Sequence, residues 1–300
     1  MSTIALARSI QGVVLDLGEA TYGSPVRSNR GEAGDVLAER LRDDGYLFLP
    51  GFFDERAVHD AQGLMAQRLA AAQRLHPGHA AAELVARPGL TQNGLDGLTD
   101  DHPQLDESLY GPSTLAFFAG LFGGPARHFD FTWSRAFGPG PGTAAHCDVV
   151  FMGRGTPDVV TMWTAWCDIP VQVGGLAILH GSHRDHESLR SYRHFDVDTY
   201  CENLGESPVA SLGTGGSLPC VDANELRERL GSRWLFTDYR AGDVIVFGMG
   251  TVHASLDNAS PMLRLSTDTR YQLASAPVDE RWVGPEPIGH SLAAQRGTIC

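Results

Sequence analysis

The chain is organised around Ala145-His146-Cys147-Asp148-Val149, a stretch that places a histidine and a carboxylate two residues apart. A loop of alternating Gly and Pro, residues 138–142, comes immediately before it. We predict a strand over 143–151, and because alternate side chains of a strand share a face, His146 and Asp148 would point to the same side. An imidazole nitrogen and a carboxylate oxygen could then reach one metal ion.

Two protein ligands do not make a tight metal site, so a third ligand must come from elsewhere in the chain. The best candidate is His253, which follows the apolar run 244–247. Two histidines and one carboxylate form the facial triad of non-haem Fe(II) oxygenases, which leaves coordination positions open. The residues therefore predict an iron site made of His146, Asp148 and His253.

The His-x-Asp pattern recurs along the chain, so the choice of one copy needs a reason. The copy at 128–130 lies between a Gly/Pro turn and an aromatic strand. The copy at 194–196 lies in a polar segment away from any predicted strand. Only the copy at 146–148 opens a predicted strand directly after a flexible loop, where the rim of a β-fold would place a site.

Arg264, eleven residues after His253, is a candidate for binding a carboxylate. Arg264 opens the predicted strand 264–273, and a guanidinium can hold a carboxylate through two parallel hydrogen bonds. Ser255 lies two residues past His253 and could donate its hydroxyl to the same carboxylate. The alternatives are an ordinary ion pair for Arg264 and a hydrogen-bonded turn for His253.

The composition limits the classes of partner. The formal net charge is −13, with 23 basic and 36 acidic residues and no run of like charges, which argues against nucleic acid or an anionic membrane. All the basic residues are Arg, so a carboxylate can be held only by Arg and Schiff-base chemistry is excluded. The N-terminus lacks a signal-peptide pattern, and no apolar run approaches a membrane span.

The cysteines indicate the redox compartment. They are odd in number, scattered, and without a Cys-x-x-Cys pair: Cys147, Cys167, Cys201, Cys220 and Cys300. We therefore expect reduced thiols in a cytoplasmic protein whose partner is a small-molecule substrate. No motif indicates an oligomeric state.

Hydrophobic periodicity predicts helices in the first part of the chain and strands in the second. Helices are expected at 32–44, after Asp54 to about residue 75, and at 113–122, with a buried strand at 46–50. Short strands bounded by Gly/Pro turns are expected at 129–137, 143–151, 159–169, 176–179, 234–238, 244–247 and 264–273. This pattern is typical of an all-β barrel or jelly roll.

We interpret residues 1–300 as one domain, in which 32–125 supply mostly helical support and a lid and 128–275 form the barrel. Residues 76–112 are long for a structureless loop and predict a lid or a substrate-facing segment. Residues 183–232 interrupt the strands with polar sequence and predict an insertion over the barrel mouth.

Three residues are candidate substrate contacts. Gln92 and Asn93 lie in the predicted lid, and Arg135 lies on the predicted strand before the Gly/Pro loop. For Arg135 the alternatives are cosubstrate binding or an ion pair with an acid.

The chain resembles the phytanoyl-CoA dioxygenase family of Fe(II)- and 2-oxoglutarate-dependent oxygenases. The resemblance rests on motifs in a fixed order: Gly45-Tyr46-Leu47-Phe48-Leu49-Pro50-Gly51-Phe52, His146-Cys147-Asp148, Trp163-Thr164-Ala165, Gly174-Gly175-Leu176-Ala177-Ile178-Leu179-His180-Gly181-Ser182-His183, Gly242-Asp243-Val244-Ile245-Val246-Phe247, His253 and Arg264. The combination is specific, whereas each piece alone is common. One departure is His180, where the family usually has Pro before Gly-Ser-His.

The resemblance implies a mainly β fold with flanking helices, a double-stranded β-helix that forms a jelly-roll, cupin-like barrel. It also implies a role for individual positions: His146, Asp148 and His253 as iron ligands, Arg264 as the residue that binds the far carboxylate of 2-oxoglutarate, Ser255 as a hydroxyl near that carboxylate, and Trp163 as a tryptophan beside the cosubstrate. The alternative for Trp163 is packing within the barrel.

The resemblance further implies a dioxygenase that uses Fe(II), 2-oxoglutarate and O2 to hydroxylate, or otherwise oxidise, a C–H bond of a small molecule, releasing succinate and CO2. Because related halogenases lack the carboxylate that Asp148 supplies, we expect hydroxylation and not halogenation. The acidic charge favours a secondary metabolite or lipid-like compound over a polyanionic CoA ester. The alternatives are a cupin-type metal enzyme that does not use 2-oxoglutarate and a non-catalytic metal-containing binding barrel.

Overall fold

The computed structural model describes residues 8–90, 95, 97–203, 216–219 and 222–299. The strands in this part of the chain are β1 Ser9–Ile10, β2 Val13–Val14, β3 Tyr22–Gly23, β4 Tyr46–Leu49, β5 Ala126–His128, β6 Trp133–Phe137, β7 Val160–Ala165, β8 Leu176–Leu179, β9 Thr199–Cys201, β10 Trp234–Leu235, β11 Val244–Gly248, β12 His253–Ser255, β13 Arg264–Leu273 and β14 Arg296–Thr298. The α-helices are α1 Gly34–Asp44, α2 Glu55–Ala71, α3 Pro103–Tyr110, α4 Pro112–Phe122, α5 Val149–Met152, α6 Glu187–Arg193 and α7 Ala223–Arg229.

Two larger sheets organise these elements. In the first sheet the strand order is β4-β11-β7-β13-β5, and β6 also pairs with β13. In the second sheet the order is β12-β8-β10-β3. Strand β13 is paired along one side with β7 and along the other with β6 and then β5. Its position in the sheet is therefore fixed from both sides.

The interior lies between the facing sides of these two sheets. Phe247 of β11 contacts the ring of His253 on β12, with centroids 4.5 Å apart. Leu176 and Ile178 of β8 belong to the same buried cluster as the residues of β11. Because side chains alternate along a strand and neighbours in register share a face, His253 and Ser255 point into this interior beside Ile178 and Leu176.

The helices pack on the outside of the first sheet. Helix α2 begins after Asp54, whose carboxylate accepts a hydrogen bond from the backbone N–H of Ala57, as its N-cap position predicts. The helix buries Ala61, Met65 and Leu69 in the cluster that includes β4 and β11. The helices expected at 32–44 and 113–122 are present as α1 and α4.

Residue Gly45 ends α1 in the left-handed conformation, with φ of 81°. A Cβ atom at this position would lie 2.2 Å from Nδ1 of His183. The other ring nitrogen of His183 donates to the carbonyl of Arg42, at 3.0 Å. This hydrogen bond from His183 thus holds the Gly-Ser-His turn after β8 against the end of α1.

The strand predicted at 143–151 is wrong. Residues 149–152 form the short helix α5, because the backbone N–H groups of Phe151 and Met152 turn back to the carbonyl of Asp148. Before it, His146 makes only an isolated bridge to His253. A short apolar run cannot be assigned to strand or helix by its pattern alone, which is why Val149–Met152 was misread.

Several other boundaries also differ from expectation. The strand predicted at 129–137 begins only at residue 133, and the one predicted at 234–238 ends at residue 235. The polar segments 76–112 and 183–232 contain three helices that their patterns did not reveal, α3, α6 and α7. Each of these helices is short, with two or three turns and few apolar positions, so its periodicity is weak.

The cysteines only partly match expectation. Cys147 and Cys167 are buried free thiols. Cys201 is disulfide-bonded, so the expectation that all thiols are reduced is wrong for this residue, and its partner lies outside the described residues. In the described part of the chain no helix is both long and apolar enough to cross a membrane.

Candidate metal centre

Two backbone hydrogen bonds bring the two distant histidines together. The N–H of His146 donates to the carbonyl of His253, and the N–H of His253 donates back, each at 3.0 Å. The centroids of the two rings lie 4.2 Å apart. The loop that carries His146 thereby continues the second sheet past β12, although it is not itself a regular strand. Asp148 reaches the same place from the start of α5.

The ring orientations direct one nitrogen of each histidine to a common point. Nδ1 of His146 donates to the carbonyl of Ala144 at 2.8 Å, and Nδ1 of His253 donates to the carbonyl of Thr251 at 3.1 Å. The two Nε2 atoms then lie 3.7 and 3.6 Å from Oδ1 of Asp148. These three atoms all lie within 4.8 Å of one another, and the residues are buried. A divalent metal ion could be held by all three.

The protonation states suit metal binding. Burial, reinforced by the nearby His253, lowers the pKa of His146 to about 3, so the imidazole is neutral at physiological pH. For Asp148, burial alone would raise the pKa. The charges of Arg270, His253 and His146 and a hydrogen bond from Thr161 outweigh it and hold the pKa of this carboxyl well below its usual range. Metal ligands must be deprotonated, and His146 and Asp148 meet this requirement.

The outer oxygen of Asp148 has its own partners. Thr161 Oγ1 donates to Oδ2 at 2.5 Å, and Arg270 Nη2 donates to the same atom at 3.0 Å. Both donors lie on the inner face of the first sheet, on β7 and β13. Neither was singled out by the sequence, although the alternation along β13 from Arg264 to Arg270 would have placed both arginines on one face.

Arg264 is a buried cation without an acidic partner. It is 1% exposed, and its Nη1 donates to the carbonyl of Gly174 at 2.6 Å. Its guanidinium lies 4.4 Å from the centroid of the Phe137 ring. Nε has no hydrogen-bond partner and no ion pair joins it to a carboxylate among the described residues. Burial, with the charge of Arg135 next, lowers its pKa to about 10. Such a group fits an incoming carboxylate.

The other predicted cosubstrate contacts lie inside the same interior. Ser255 is buried on β12, two residues from His253, and its N–H donates to the carbonyl of Thr143 at 3.0 Å. Trp163 is buried on β7, with its ring centroid 4.8 Å from that of Tyr239. Trp163, Arg264 and Ser255 all lie outside the set of residues that line the cavity at the triad.

A cavity of about 310 Å³ opens at the triad. Its lining combines the histidine and carboxylate with aromatic, aliphatic and cationic groups: Trp133, Arg135, Thr143, Ala144, His146, Asp148, Phe151, Met152, Ser217, Arg270 and His290. Arg135 is thus at the cavity, and its Nε donates to Oδ2 of Asp268 at 3.0 Å. Gln92 and Asn93 lie outside the described residues.

Two lining residues were missed in the sequence. Trp133 begins β6 and lies under the guanidinium of Arg270, at 4.4 Å. His290 is exposed, and its ring borders the cavity and lies 6.0 Å from the ring of Phe151. No local motif surrounds His290, since the chain reaches the cavity there only through the packing of the segment after β13.

The two His-x-Asp copies at 128–130 and 194–196 do not lie at the triad. His128 Nδ1 lies 3.3 Å from Asp130, and both residues border a separate cleft of about 1180 Å³. His194 Nδ1 donates to the carbonyl of Arg190, and Asp196 pairs with Arg154. The choice of residues 146–148 therefore agrees with the only such grouping found in the described chain.

Known proteins share this fold and parts of this sequence. The chain is 29% identical over 265 residues to the 1-deoxypentalenic acid 11-beta-hydroxylase of Streptomyces arenae, a match that covers 79% of this chain and 81% of that enzyme. It is 26% identical over 257 residues to the enzyme of the same name from Streptomyces exfoliatus, with the same shares covered.

Solved structures are similar at lower identity. The non-haem α-ketoglutarate-dependent carbocyclase SnoK from nogalamycin biosynthesis aligns with a TM-score of 0.59 and 18% identity, over 87% of this chain and 92% of that one. EctD from S. alaskensis, solved with bound Fe, aligns with a TM-score of 0.57 and 16% identity, over 95% and 94% of the two chains. At these identities the likeness establishes the fold.

A buried group of two histidines and one carboxylate, together with a buried arginine that meets no carboxylate among the described residues, defines the site of a non-haem iron oxygenase. The profile of the phytanoyl-CoA dioxygenase (PhyH) family matches residues 41–266, and the chain belongs to that family. It is a dioxygenase that uses Fe(II), 2-oxoglutarate and O2, and the resemblance seen in the sequence is confirmed.

Proposed function

We propose that this enzyme hydroxylates a C–H bond of a small molecule with an apolar body, and that His146, Asp148 and His253 hold the iron. The observation that carries the proposal is the convergence of the two Nε2 atoms and Oδ1 of Asp148 within 4.8 Å in a buried site. Neutral imidazoles and one carboxylate suit Fe(II) and leave part of its coordination sphere for other ligands.

The donor set also fits the cosubstrate. Arg264 offers a buried guanidinium that no acid among the described residues pairs with, and a buried charge without a partner is costly. The far carboxylate of 2-oxoglutarate would supply that charge, with the hydroxyl of Ser255 as a further donor. The iron with 2-oxoglutarate and O2 supplies the oxidising chemistry, in which the cosubstrate becomes succinate and CO2.

Residues of the chain itself orient the metal ligands and bind the substrate or the cosubstrate. The backbone carbonyls of Ala144 and Thr251 hold the two imidazole rings in the tautomer that presents Nε2. Arg135 lies near both the clamp and the triad, since it lines the cavity and its charge lowers the pKa of Arg264 and of His146. We assign Arg135 to the binding of the substrate, or of the end of 2-oxoglutarate nearest the iron. Trp163 supports the site through Tyr239 and is not proposed as a contact.

The cavity indicates the kind of substrate. Trp133, Phe151 and Met152 supply an apolar surface, whereas Arg135 and His290 supply polar groups. A volume of about 310 Å³ admits a small molecule and not a whole CoA ester. We therefore favour a secondary metabolite or lipid-like compound with an apolar skeleton and an oxygen substituent. Asp148 occupies the position that a halide would need, so the outcome is hydroxylation or a related oxidation.

We propose the same architecture that the family implies: the two larger sheets as the halves of a double-stranded β-helix over 128–275. Residues 32–125 would support the first sheet from outside, and residues 1–300 would fold as one domain. The segment 183–232 would then cover one side of the barrel. This assignment is supported by α6 and α7, which pack on the outer face of the second sheet.

The proposed function is tested by measuring the formation of succinate. Anaerobically purified protein is given Fe(II), 2-oxoglutarate and O2, and succinate formation is compared with that of His146→Ala. We expect slow, triad-dependent succinate formation that the true substrate accelerates. If succinate is absent, the anaerobic Fe(II) complex should still show a visible band that needs 2-oxoglutarate. Absence of both signals would favour the cupin-type or non-catalytic alternative.

A further inference from the structure

Arg270 has no part in iron or cosubstrate binding as proposed so far, yet it lies against the triad. Its side chain is 3% exposed on β13, six residues past Arg264. Nη2 donates to Oδ2 of Asp148, and the guanidinium lies over the ring of Trp133. Its Nε contacts the sulfur of Met152 at 3.2 Å. The contacts to Trp133 and Met152 hold the guanidinium in one orientation.

A second donor reaches the same oxygen from the neighbouring strand. Thr161 of β7 is the register partner of Arg270 on β13, so both side chains emerge side by side on the inner face. Both donate to Oδ2 of Asp148. Oδ1 is the oxygen that lies 3.7 and 3.6 Å from the two Nε2 atoms. The two oxygens of one carboxylate thus have separate partners.

We infer that Arg270, together with Thr161, is a positioning residue that holds the outer oxygen of Asp148 so that a single oxygen is presented to the metal. The inference rests on the proposed function, because it needs a metal at the triad. A carboxylate that is free to rotate can bind a metal through both oxygens and so occupy a second coordination position. A fixed Oδ2 prevents this and keeps that position for cosubstrate or O2.

The effect on metal affinity has two opposing parts. The guanidinium repels a divalent cation, which weakens binding. It also forms a neutral pair with Asp148 and fixes the carboxylate where the metal must bind. Outer-shell partners of ligating groups typically contribute about 10–100-fold to metal affinity or activity. We expect the positioning effect to dominate, because without Arg270 the buried carboxylate keeps only the hydroxyl of Thr161 as a side-chain donor.

The test measures Mn(II) binding by the loss of the free Mn(II) electron paramagnetic resonance signal, which requires no turnover. Arg270→Met removes the charge and the hydrogen bond, whereas Arg270→Lys keeps the charge and loses the planar geometry. We expect the Kd for Mn(II) to rise by about 10–100-fold in Arg270→Met, with Arg270→Lys between this variant and the wild type. The matched control is Thr269→Val, adjacent on β13 but on the opposite face and equally buried.

The outcomes separate this inference from the proposed function. Failure of the wild-type protein to bind Mn(II), or unchanged binding by His146→Ala, would overturn the metal site itself. Normal binding by the wild type with an equal or lower Kd in folded Arg270→Met would overturn only the role of Arg270. If Arg270→Met does not fold, Thr161→Val replaces it: we expect a Kd roughly tenfold higher, and an unchanged Kd contradicts the inference.

Discussion

Asp198 orients the ring of His290: its Oδ2 accepts a hydrogen bond from Nδ1 at 2.9 Å, and that ring borders the cavity at the triad. Because Nδ1 is engaged by the carboxylate, Nε2 is the nitrogen left to meet a substrate. His290 lies beyond residues 41–266, the part that matches the family profile. This pair is therefore suited to distinguish one substrate from another.

Replacing His290 should weaken substrate recognition. His290→Phe keeps a ring but loses the polar nitrogen, and loss of one hydrogen bond of about 1–1.5 kcal/mol corresponds to roughly tenfold in kcat/KM. His290→Gln can still form a hydrogen bond and should retain most of the wild-type value. The measurement is succinate formation against the concentration of whichever small molecule stimulates it most in a panel. Equal KM values for His290→Phe and wild type would remove His290 from the site.

Replacing Arg264 should weaken cosubstrate binding selectively. A hydrogen bond to a charged group contributes about 1.5–3 kcal/mol, so Arg264→Met should raise the Kd for 2-oxoglutarate by roughly 10–100-fold. Anaerobic titration of the Fe(II) protein with 2-oxoglutarate measures this, and Mn(II) affinity without cosubstrate serves as the control. If the 2-oxoglutarate affinity is unchanged, the clamp is wrongly assigned and a cupin-type enzyme becomes the better interpretation.

Arg281 should be needed for stability. Its buried guanidinium pairs with Asp279 at 2.6 Å, Asp198 at 2.5 Å and Asp196 at 3.3 Å. Removing one member of a buried ion pair typically costs about 3–5 kcal/mol, because the remaining charges are left without a partner. Arg281→Met should therefore unfold at much lower urea concentration. Arg190→Met, at an exposed pair with Asp185, is the matched control and should change nothing measurable.

Gly45 and Gly51 should respond differently to alanine. Both have positive φ, of 81° and 61°, so an alanine at either position must adopt the left-handed conformation, which costs about 1–2 kcal/mol. A Cβ on Gly51 meets nothing within 4 Å, whereas one on Gly45 would meet His183 at 2.2 Å. Gly45→Ala should thus lower the free energy of unfolding more than Gly51→Ala in chemical denaturation. Equal losses would mean that the His183 turn moves aside freely.

Acidification should destabilise the metal-free protein. Burial lowers the pKa of His146 to about 3 and also lowers the pKa of His183. In the unfolded chain both protonate near pH 6.5. Below that pH the unfolded chain binds protons that the folded chain does not, so the free energy of unfolding falls as the pH drops from about 6.5 toward 3. Thermal melts from pH 7.5 to 4.5 measure this slope, which His183→Gln should reduce. A Tm independent of pH would contradict the lowered pKa values of His146 and His183.

The sequence predicted the triad and the clamp because each lies at a pattern readable along the chain: a His-x-Asp pair, a histidine after an apolar strand, and an arginine that opens the next strand. It predicted β13 with its full bounds, residues 264–273. It misread α5, where an apolar run begins a helix instead of ending a strand. It also missed Arg270, Trp133 and His290, whose roles arise from pairing and packing that no local pattern records.

The central place of β13 has a consequence for how such an enzyme could diversify. Arg264 and Arg270 share a face only because they lie six positions apart, an even number, on a strand held from both sides. A single inserted or deleted residue between them would turn one guanidinium away from the interior. The segment that carries His290 has no such constraint, because His290 lies in a loop with no strand register to keep. Changes in length there can reshape the substrate pocket while the oxidising machinery keeps its spacing.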